Sequence, residues 1–243
     1  MTGLTALILG ATGATGKVLL QELLASPQYS SVSEYGRRVT APEKITAGND
    51  KLEQRTIDFE KLEDAGLKDR KWDVIFITLG TTRKAAGSLE AFEKIDREYV
   101  VNAARLAKSD DPAQKQRLIY LSSGGANPDS YFPYMRSKGL TELALADLGY
   151  NDTIVFRPGA LGDAERPTHR VVETVSFPVI KAMSRFIPSL YMPVPKLAKA
   201  LRAVGEKGTE GIPAERVQKM GAEKAPWSLL DNNSILAIAD AFN

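Results

Sequence analysis

The chain has 243 residues, of which 43% are hydrophobic and 26% are charged, the composition of a folded globular protein rather than a disordered or fibrous one. Its net charge of +2 argues against nucleic-acid binding, and the absence of cysteine excludes a disulfide framework and thiolate chemistry. The single histidine, His169, is interpreted as a loop residue, so we expect neither a metal site nor a Ser-His-Asp hydrolase.

A strand, a glycine turn and a helix are predicted at the start of the chain. Residues 4–9 are nearly all apolar, as expected of a central parallel strand, and residues 17–25 carry leucines at helical spacing. The G-x-x-G-x-x-G spacing between them favours a phosphate-binding site. In such a site the glycines allow a tight turn after the strand, a close approach of the backbone to a pyrophosphate, and close packing of the helix on the sheet. A glycine-rich turn of another α/β protein is the alternative. The predicted cofactor-binding residues here are Gly10, Thr12, Gly13, Ala14, Thr15 and Gly16.

Two arginines follow the second predicted strand, residues 31–35. Arg37 and Arg38 stand about 20 residues beyond the last glycine, where NAD-binding folds usually carry an acid for the ribose 2′-hydroxyl. The chain has no acid at that place, and a guanidinium pairs well with a 2′-phosphate. These residues predict NADP(H) as the cofactor, with Arg37 favoured over Arg38. A solvated surface pair is the alternative.

The next two strands are predicted over residues 52–57 and 74–78. The second of them runs into Leu79, Gly80 and Thr81, a turn of small residues that a nicotinamide ribose can approach. Ligands in open α/β sheets bind at the carboxyl ends of the strands, and the residues singled out so far lie at such ends. The turn is therefore included in the predicted cofactor site.

A serine, a tyrosine and a lysine form the predicted catalytic group. The strand over residues 117–121 is followed by Ser122 and Ser123, and Tyr134 and Lys138 lie one helical turn apart. A nearby ammonium favours the phenolate and makes a tyrosine usable as an acid or base near neutral pH. Because side chains alternate along a strand, one serine should face the cleft and hold the substrate oxygen, and we choose Ser123. Tyr134 and Lys138 are also expected to contact the cofactor; a surface helix with a solvated lysine is the alternative.

The order of these motifs resembles a short-chain dehydrogenase/reductase over residues 1–160, and the glycine spacing resembles the extended and atypical members of that superfamily. Four segments narrow the resemblance: Asp-Phe-Glu-Lys-Leu at 58–62, Leu-Gly-Thr-Thr-Arg at 79–83, Asp-Arg-Glu-Tyr-Val at 96–100 and Val-Phe-Arg-Pro-Gly at 155–159. They are similar to the Tat-interacting-protein family of atypical short-chain reductases, nearest its fungal branch of NADP-fold proteins associated with the mitochondrial outer membrane. The likeness runs from Leu4 to about Val204.

This resemblance implies NADP(H) binding by a monomeric or weakly associating Rossmann protein. It adds Asp58 and Phe59 to the cofactor contacts as an adenine-contacting pair, and Pro158 as a third contact. A helix N-cap ahead of residues 60–65 is an equal alternative for Asp58. Asp96 departs from the superfamily, which often carries an asparagine there to support the catalytic lysine through water. The resemblance therefore does not imply the complete proton relay of the superfamily, in which that asparagine takes part, and it does not settle an activity.

The C-terminal third is predicted to complete the Rossmann core. A polar loop over residues 162–170 precedes an apolar, basic segment over 171–190, where superfamily members carry a substrate-binding lid suited here to an apolar or aromatic substrate. The basic residues of this region could also dock on an anionic membrane, but a solvated helix face is favoured. Beyond it we expect an edge strand at 192–194, a helix at 196–204, a late strand and turn at 212–220 and a closing helix at 232–242.

We therefore predict one NAD(P)-binding domain of the α/β class, a Rossmann fold with a doubly wound, mostly parallel sheet. Residues 1–160 form its cofactor-binding core, and residues 161–243 form a small C-terminal substrate-binding subdomain. The predicted function is NADPH-dependent reduction of a carbonyl on a small apolar or aromatic molecule. An NADP(H)-binding regulatory or interaction protein with little turnover, and a short-chain-type isomerase or dehydratase, are the alternatives.

The expected location follows from the lack of membrane signals. No run approaches the roughly 20 apolar residues of a membrane span, and no cleavable leader precedes the first strand. We therefore expect a monomer or weak homodimer that is cytoplasmic or peripheral at the mitochondrial outer membrane, without a nucleic-acid partner.

Overall fold

The computed structural model describes residues 3–162, 191–223 and 225–242. The predicted loop with His169 and the predicted lid over residues 171–190 lie outside these described residues. Within them, eight strands form a main sheet and two short strands form a separate parallel pair. The strands are β1 (Leu4–Leu9), β2 (Tyr29–Gly36), β3 (Leu52–Thr56), β4 (Val74–Ile77), β5 (Arg117–Leu121), β6 (Asp152–Arg157), β7 (Ala160–Gly162), β8 (Tyr191–Pro193), β9 (Gln218–Met220) and β10 (Trp227–Asp231).

The main sheet has the order β3-β2-β1-β4-β5-β6-β10-β9, and all neighbours are parallel except β9, which runs antiparallel to β10. The chain moves outward from β1 to β3 and then crosses back to place β4 beside β1, so the strand order reverses between these two strands. In open α/β sheets such a reversal opens a crevice at the carboxyl ends of the strands. The predicted Rossmann fold with a doubly wound, mostly parallel sheet is confirmed.

Helices cover both faces of the sheet. They are α1 (Gly16–Ala25), α2 (Arg83–Ala86), α3 (Leu89–Glu93), α4 (Tyr99–Ala107), α5 (Pro133–Ala146), α6 (Val194–Lys207) and α7 (Asn232–Ala241). In β1, Ala6 and Ile8 belong to the core packed by α1, α6 and α7, whereas Leu7 and Leu9 belong to the core packed by α4 and α5. This burial on both sides explains why β1 is apolar at nearly every position.

The long helix expected over residues 89–108 is a composite. Its two α-helical parts, α3 and α4, are joined by a π-helical turn, Lys94–Glu98. Turns of this kind are rare and often mark functional sites, because the extra residue changes which side chains point inward. Here the turn carries Asp96, whose side chain is fully buried.

The largest differences from the predicted elements lie in the C-terminal third. Strand β10, which pairs with β6, has no counterpart among the predicted strands. The strand expected at 192–194 is observed as β8 but pairs with β7 in the small sheet and not with the main sheet. The helix expected over residues 60–65 is a short 3-10 turn, Leu62–Ala65. In the part of the chain that the structure describes, no helix is both long enough and apolar enough to cross a membrane.

Candidate functional site

The glycine turn between β1 and α1 leaves no room for larger residues at two of its positions. Gly10 has a φ of +97°, and a Cβ there would lie 2.8 Å from the backbone nitrogen of Leu79. A Cβ at Gly16 would lie 2.1 Å from the Gly10 carbonyl oxygen, so α1 starts directly against the turn. Gly13 donates its N–H to that same oxygen at 3.0 Å. The tight turn expected of Gly10 and the close packing expected of Gly16 are therefore present.

The same turn presents groups suited to an anionic ligand. Thr12 and Gly13 are exposed and Ala14 is half-buried, just ahead of the positive end of the α1 dipole. Thr15 is buried, and its Oγ1 has no hydrogen-bond partner within the described ranges. Buried hydroxyls normally find a partner, and a phosphate oxygen would supply one. The turn therefore fits the pyrophosphate of a dinucleotide.

Arg37 and Arg38 directly follow β2, and both side chains are exposed. Among the described residues, neither guanidinium forms an ion pair with a carboxylate. The nearest preceding acid, Glu34, is buried and accepts hydrogen bonds from the N–H and hydroxyl of Thr40, both at 2.8 Å, and from the Gln54 amide at 2.7 Å. The end of β2 therefore presents two exposed guanidinium groups to a ligand.

An aromatic pair lies beyond β3. Phe59 is buried, and its ring stacks on Tyr99 with 5.3 Å between centroids. The Tyr99 hydroxyl donates to Glu60, whose carboxylate also lies 2.7 Å from Lys94 Nζ. The hydrogen bonds from Lys94 and from Tyr99 lower the pKa of the Glu60 carboxyl. Phe59 is predicted from the sequence as a cofactor contact; its stacking on Tyr99 and the hydrogen bond from Tyr99 to Glu60 are not predicted, because they join segments far apart in the chain.

Asp58 is exposed at the end of the same strand. Its Oδ1 accepts the Glu60 N–H at 2.9 Å, which is a local turn of the kind that aspartate favours. The alternative of a helix N-cap is wrong in detail, because the 3-10 turn Leu62–Ala65 has Lys61 at its N-cap position. A contact of Asp58 with adenine stays a prediction.

The turn after β4 rests on a buried ion pair. Leu79 and Thr81 are half-buried and Gly80 is exposed. A Cβ at Gly80 would lie 3.6 Å from Asp96 Oδ1 and 3.7 Å from Lys138 Nζ, which are ordinary contact distances. The place expected to receive the nicotinamide ribose therefore lies against Asp96 and Lys138.

Tyr134 and Lys138 share the first part of α5 but differ in environment. Tyr134 is 38% exposed, and its ring packs 5.8 Å from that of Phe92. Lys138 is 3% exposed; its Nζ donates to the Tyr120 hydroxyl at 3.0 Å and lies 3.2 Å from Asp96 Oδ1. The alternative of a solvated surface lysine is therefore wrong for Lys138.

The charges around Lys138 explain why a buried ammonium is tolerated. Burial opposes its charge, but the neighbouring Tyr120 and Asp96 outweigh burial and raise the pKa of Lys138 above its ordinary value. Burial raises the pKa of the Tyr120 hydroxyl, so this phenol is neutral near pH 7. Asp96 is therefore the carboxylate that pairs with the Lys138 ammonium. Neither oxygen of Asp96 accepts a hydrogen bond from the described residues, so the ion pair is its main compensation.

The two serines after β5 have different partners. Ser122 is buried, and its hydroxyl donates to Glu142 Oε1 at 2.5 Å, while Arg157 Nε donates to the same oxygen at 2.9 Å. Ser123 is half-buried, and its hydroxyl makes no hydrogen bond within the described ranges. This difference supports the choice of Ser123 as the serine available to a substrate, and its contact with a substrate stays a prediction.

Pro158, the last predicted contact, follows β6 and is buried. Its carbonyl accepts the Gly124 N–H at 2.9 Å and so ties the end of β6 to the turn that follows Ser123. The predicted residues thus follow the carboxyl ends of β1 to β6 or stand at the start of α5. The structure places them along one edge of the sheet, where an open α/β fold binds its ligand.

A polar cleft of about 440 Å³ opens at the opposite edge, by the amino ends of β5, β6 and β10. Its polar groups are used within the fold: Arg117 donates to the Gly205 carbonyl at 3.0 Å, and Asp152 accepts the Thr209 N–H at 2.9 Å. Because ligands of open α/β sheets bind at the carboxyl ends, we do not assign the nucleotide site to this cleft.

Comparison with known proteins gives a family. Residues 10–185 match the NAD(P)H-binding family. HTATIP2 of Rattus norvegicus is 41% identical over 154 residues, which are 63% of this chain and 61% of the rat protein, so the chain spans about three fifths of that relative. The mitochondrial protein FMP52 of Coccidioides immitis is 32% identical over 180 residues, 70% of either chain. FMP52 of Saccharomyces cerevisiae is 35% identical over 158 residues, 64% of either chain.

Solved structures share the fold at lower identity. A short-chain dehydrogenase/reductase from Saccharomyces cerevisiae has a TM-score of 0.61 at 16% identity, covering 88% of this chain and 93% of that chain. The enzyme WbmH of Bordetella bronchiseptica, solved in complex with NAD+, has a TM-score of 0.62 at 16% identity, covering 85% and 73%. The chain belongs to the NAD(P)H-binding family and, within it, to the branch of HTATIP2 and the fungal FMP52 proteins.

Proposed function

We propose that this protein uses NADPH to reduce the carbonyl group of a small apolar or aromatic molecule. The observation that carries the proposal is the arrangement on α5. Tyr134 is partly exposed one helical turn before Lys138, whose ammonium is buried against the Gly80 turn. An acid/base pair at the nucleotide-binding edge of an NAD(P)H-binding fold is what carbonyl reduction requires.

Each residue of the site has a separate role in this proposal. When bound, NADPH supplies the hydride. Tyr134 donates its phenolic proton to the carbonyl oxygen as negative charge develops there, and the Ser123 hydroxyl orients the same oxygen. The fixed ammonium of Lys138 stabilises the phenolate that remains on Tyr134. The glycine turn and Arg37 would hold the pyrophosphate and the 2′-phosphate.

Cofactor preference is the first expected outcome. NADPH should bind at least about tenfold more tightly than NADH, and Arg37→Ala should remove that difference, because a 2′-phosphate loses its guanidinium. Isothermal titration calorimetry of the wild type and of Arg37→Ala with each nucleotide measures these affinities. Arg38→Ala is the matched control, with a smaller expected effect. Equal wild-type affinities for the two nucleotides would contradict the preference for NADP(H). If neither nucleotide binds, the glycine turn is only structural and the catalytic proposal is lost with it.

Turnover is the second expected outcome. Purified protein with NADPH should oxidise the cofactor in the presence of at least one aromatic or aliphatic ketone or aldehyde, and mass spectrometry should detect the matching alcohol. A broad panel that gives no alcohol, from a protein that binds NADPH, would contradict the proposed reaction. That result would favour the second candidate, a cofactor-binding regulatory protein with little turnover, which the aspartate at position 96 in place of the superfamily's asparagine permits.

A further inference from the structure

The polar cleft at the amino ends of β5, β6 and β10 has the size of a small-molecule site. Its volume of about 440 Å³ falls within the range of roughly 300–1,000 Å³ that is usual for ligand pockets. It is bounded by the end of α6 and by the paired strands β9 and β10. Because it lies at the opposite edge of the sheet from the glycine turn, the proposed function leaves it unused.

Basic side chains outnumber acidic ones on the wall of this cleft. Four basic and two acidic residues line it, and this excess of two positive charges equals the net charge of the whole chain. Within the described ranges, none of the four basic side chains forms an ion pair with a carboxylate. A cleft focuses the field of such charges and attracts anions. The six residues are Lys115, Arg117, Lys207, Lys219, Asp152 and Glu210.

Arg117 and Asp152 are held by contacts within the fold, as described above, but the three lysines are less constrained. Lys219 Nζ donates to the Ser228 hydroxyl at 3.1 Å, and Lys207 Nζ lies 4.9 Å from the centroid of an aromatic ring, that of Phe242. Lys115 is exposed. Since an ammonium has three N–H donors, each lysine keeps donors for a ligand.

A buried donor on the same wall indicates the kind of ligand. Trp227 lines the cleft and is 4% exposed, and its Nε1–H has no hydrogen-bond partner among the residues that the structure describes. The hydroxyl of Thr153, another buried residue of the wall, has no partner there either. An indole N–H can only donate, and buried polar groups normally find a partner. The wall therefore lacks an acceptor, which a phosphate or carboxylate oxygen would supply.

We propose that this cleft is a second binding site, which takes a small organic anion with two or more phosphate or carboxylate groups. More than one group is required because the lysines come from three segments: Lys115 precedes β5, Lys207 ends α6 and Lys219 lies on β9. The ammonium groups bind the anionic groups, and the indole N–H of Trp227 donates to one oxygen. The inference is independent of the proposed function, because none of the residues assigned to the nucleotide or to the carbonyl lines the cleft.

The test is isothermal titration calorimetry of the whole protein with pyrophosphate and with citrate, at constant ionic strength so that screening does not change. At least one anion should bind saturably, and the tighter of the two distinguishes a phosphate from a carboxylate ligand. Lys207→Gln/Lys219→Gln should weaken this binding about tenfold or more, because two charged donors are lost. The matched control is Lys44→Gln/Lys84→Gln, which removes two exposed lysines outside the cleft and should leave the affinity unchanged.

Tryptophan fluorescence locates the bound anion. Trp227 lines the cleft, whereas the other tryptophan, Trp72, is buried with its ring 6.0 Å from that of Tyr35. Binding should change the fluorescence of the wild type, and Trp227→Phe should lose this signal and bind the anion more weakly, because the N–H is gone. If Trp227→Phe does not fold, the lysine variants still decide the result, since their substituted side chains are exposed.

Three outcomes would overturn the inference. The first is no saturable binding of either anion up to about 10 mM. The second is equal affinity in the two double-lysine variants, which would place the anion outside the cleft. The third is displacement of the anion by NADPH, which would place it at the glycine turn. Loss of anion binding in Lys207→Gln/Lys219→Gln, with NADPH affinity unchanged, is the result expected of a separate site.

Discussion

Tyr134→Phe is expected to lower kcat for carbonyl reduction by about 100-fold or more, because it removes the group that donates the proton. The change should leave the protein folded, since phenylalanine keeps the ring that packs 5.8 Å from Phe92. NADPH affinity should stay close to that of the wild type, because the glycine turn and Arg37 are untouched. Steady-state kinetics with a substrate from the panel and calorimetry with NADPH measure the two quantities separately.

The matched control for this prediction is Tyr131→Phe. Tyr131 lies three residues before Tyr134 and is fully exposed. Its substitution removes the same hydroxyl away from the site, so kcat should be unchanged. A Tyr134→Phe enzyme with wild-type kcat would show that another group, or water, donates the proton. A loss of NADPH binding in the same variant would instead place Tyr134 mainly in cofactor binding.

The sequence was sufficient for features that depend on local pattern. Leu4–Leu9 is predicted with correct ends because a strand covered by two cores must be apolar on both faces. Gly10 and Gly16 could be assigned structural roles because their spacing corresponds to a turn whose geometry excludes a Cβ. The same reasoning missed β10, since its five residues mix Trp227, Ser228 and Asp231 with only two leucines.

The partners of the site residues could not be predicted in the same way. Lys138 is recognisable from its spacing to Tyr134, but its burial depends on Asp96 and Tyr120, which come from a π-helical turn and a strand elsewhere in the chain. No local pattern predicts that turn, because residues 89–108 have ordinary helical periodicity. Tyr120 is part of a buried strand, where an aromatic residue is first interpreted as core. The sequence therefore indicates the acid/base pair but not the ion pair that fixes it.

Lys138→Met should lower the free energy of unfolding by about 3–5 kcal/mol, because removing one partner of a buried ion pair leaves the other as an uncompensated charge. Methionine keeps an unbranched side chain out to the Cε position, so the loss arises mainly from Asp96, which accepts no hydrogen bond from the described residues. Urea denaturation should show a lower midpoint with an unchanged m-value. Lys94→Met is the control, because Lys94 also pairs with a carboxylate, that of Glu60, but does so at the surface. The denaturation midpoint of this variant should match that of the wild type.

The double variant Asp96→Leu/Lys138→Met separates the two causes of this loss. If the cost arises from the unpaired carboxylate, removing both charges should restore most of the stability, because an apolar pair carries no desolvation penalty. If it arises from lost packing, the double variant should be no more stable than the single one. A Lys138→Met protein with the wild-type midpoint would contradict the ion pair itself. A double variant with the stability of the wild type would show that this buried pair is not retained for the stability of the fold.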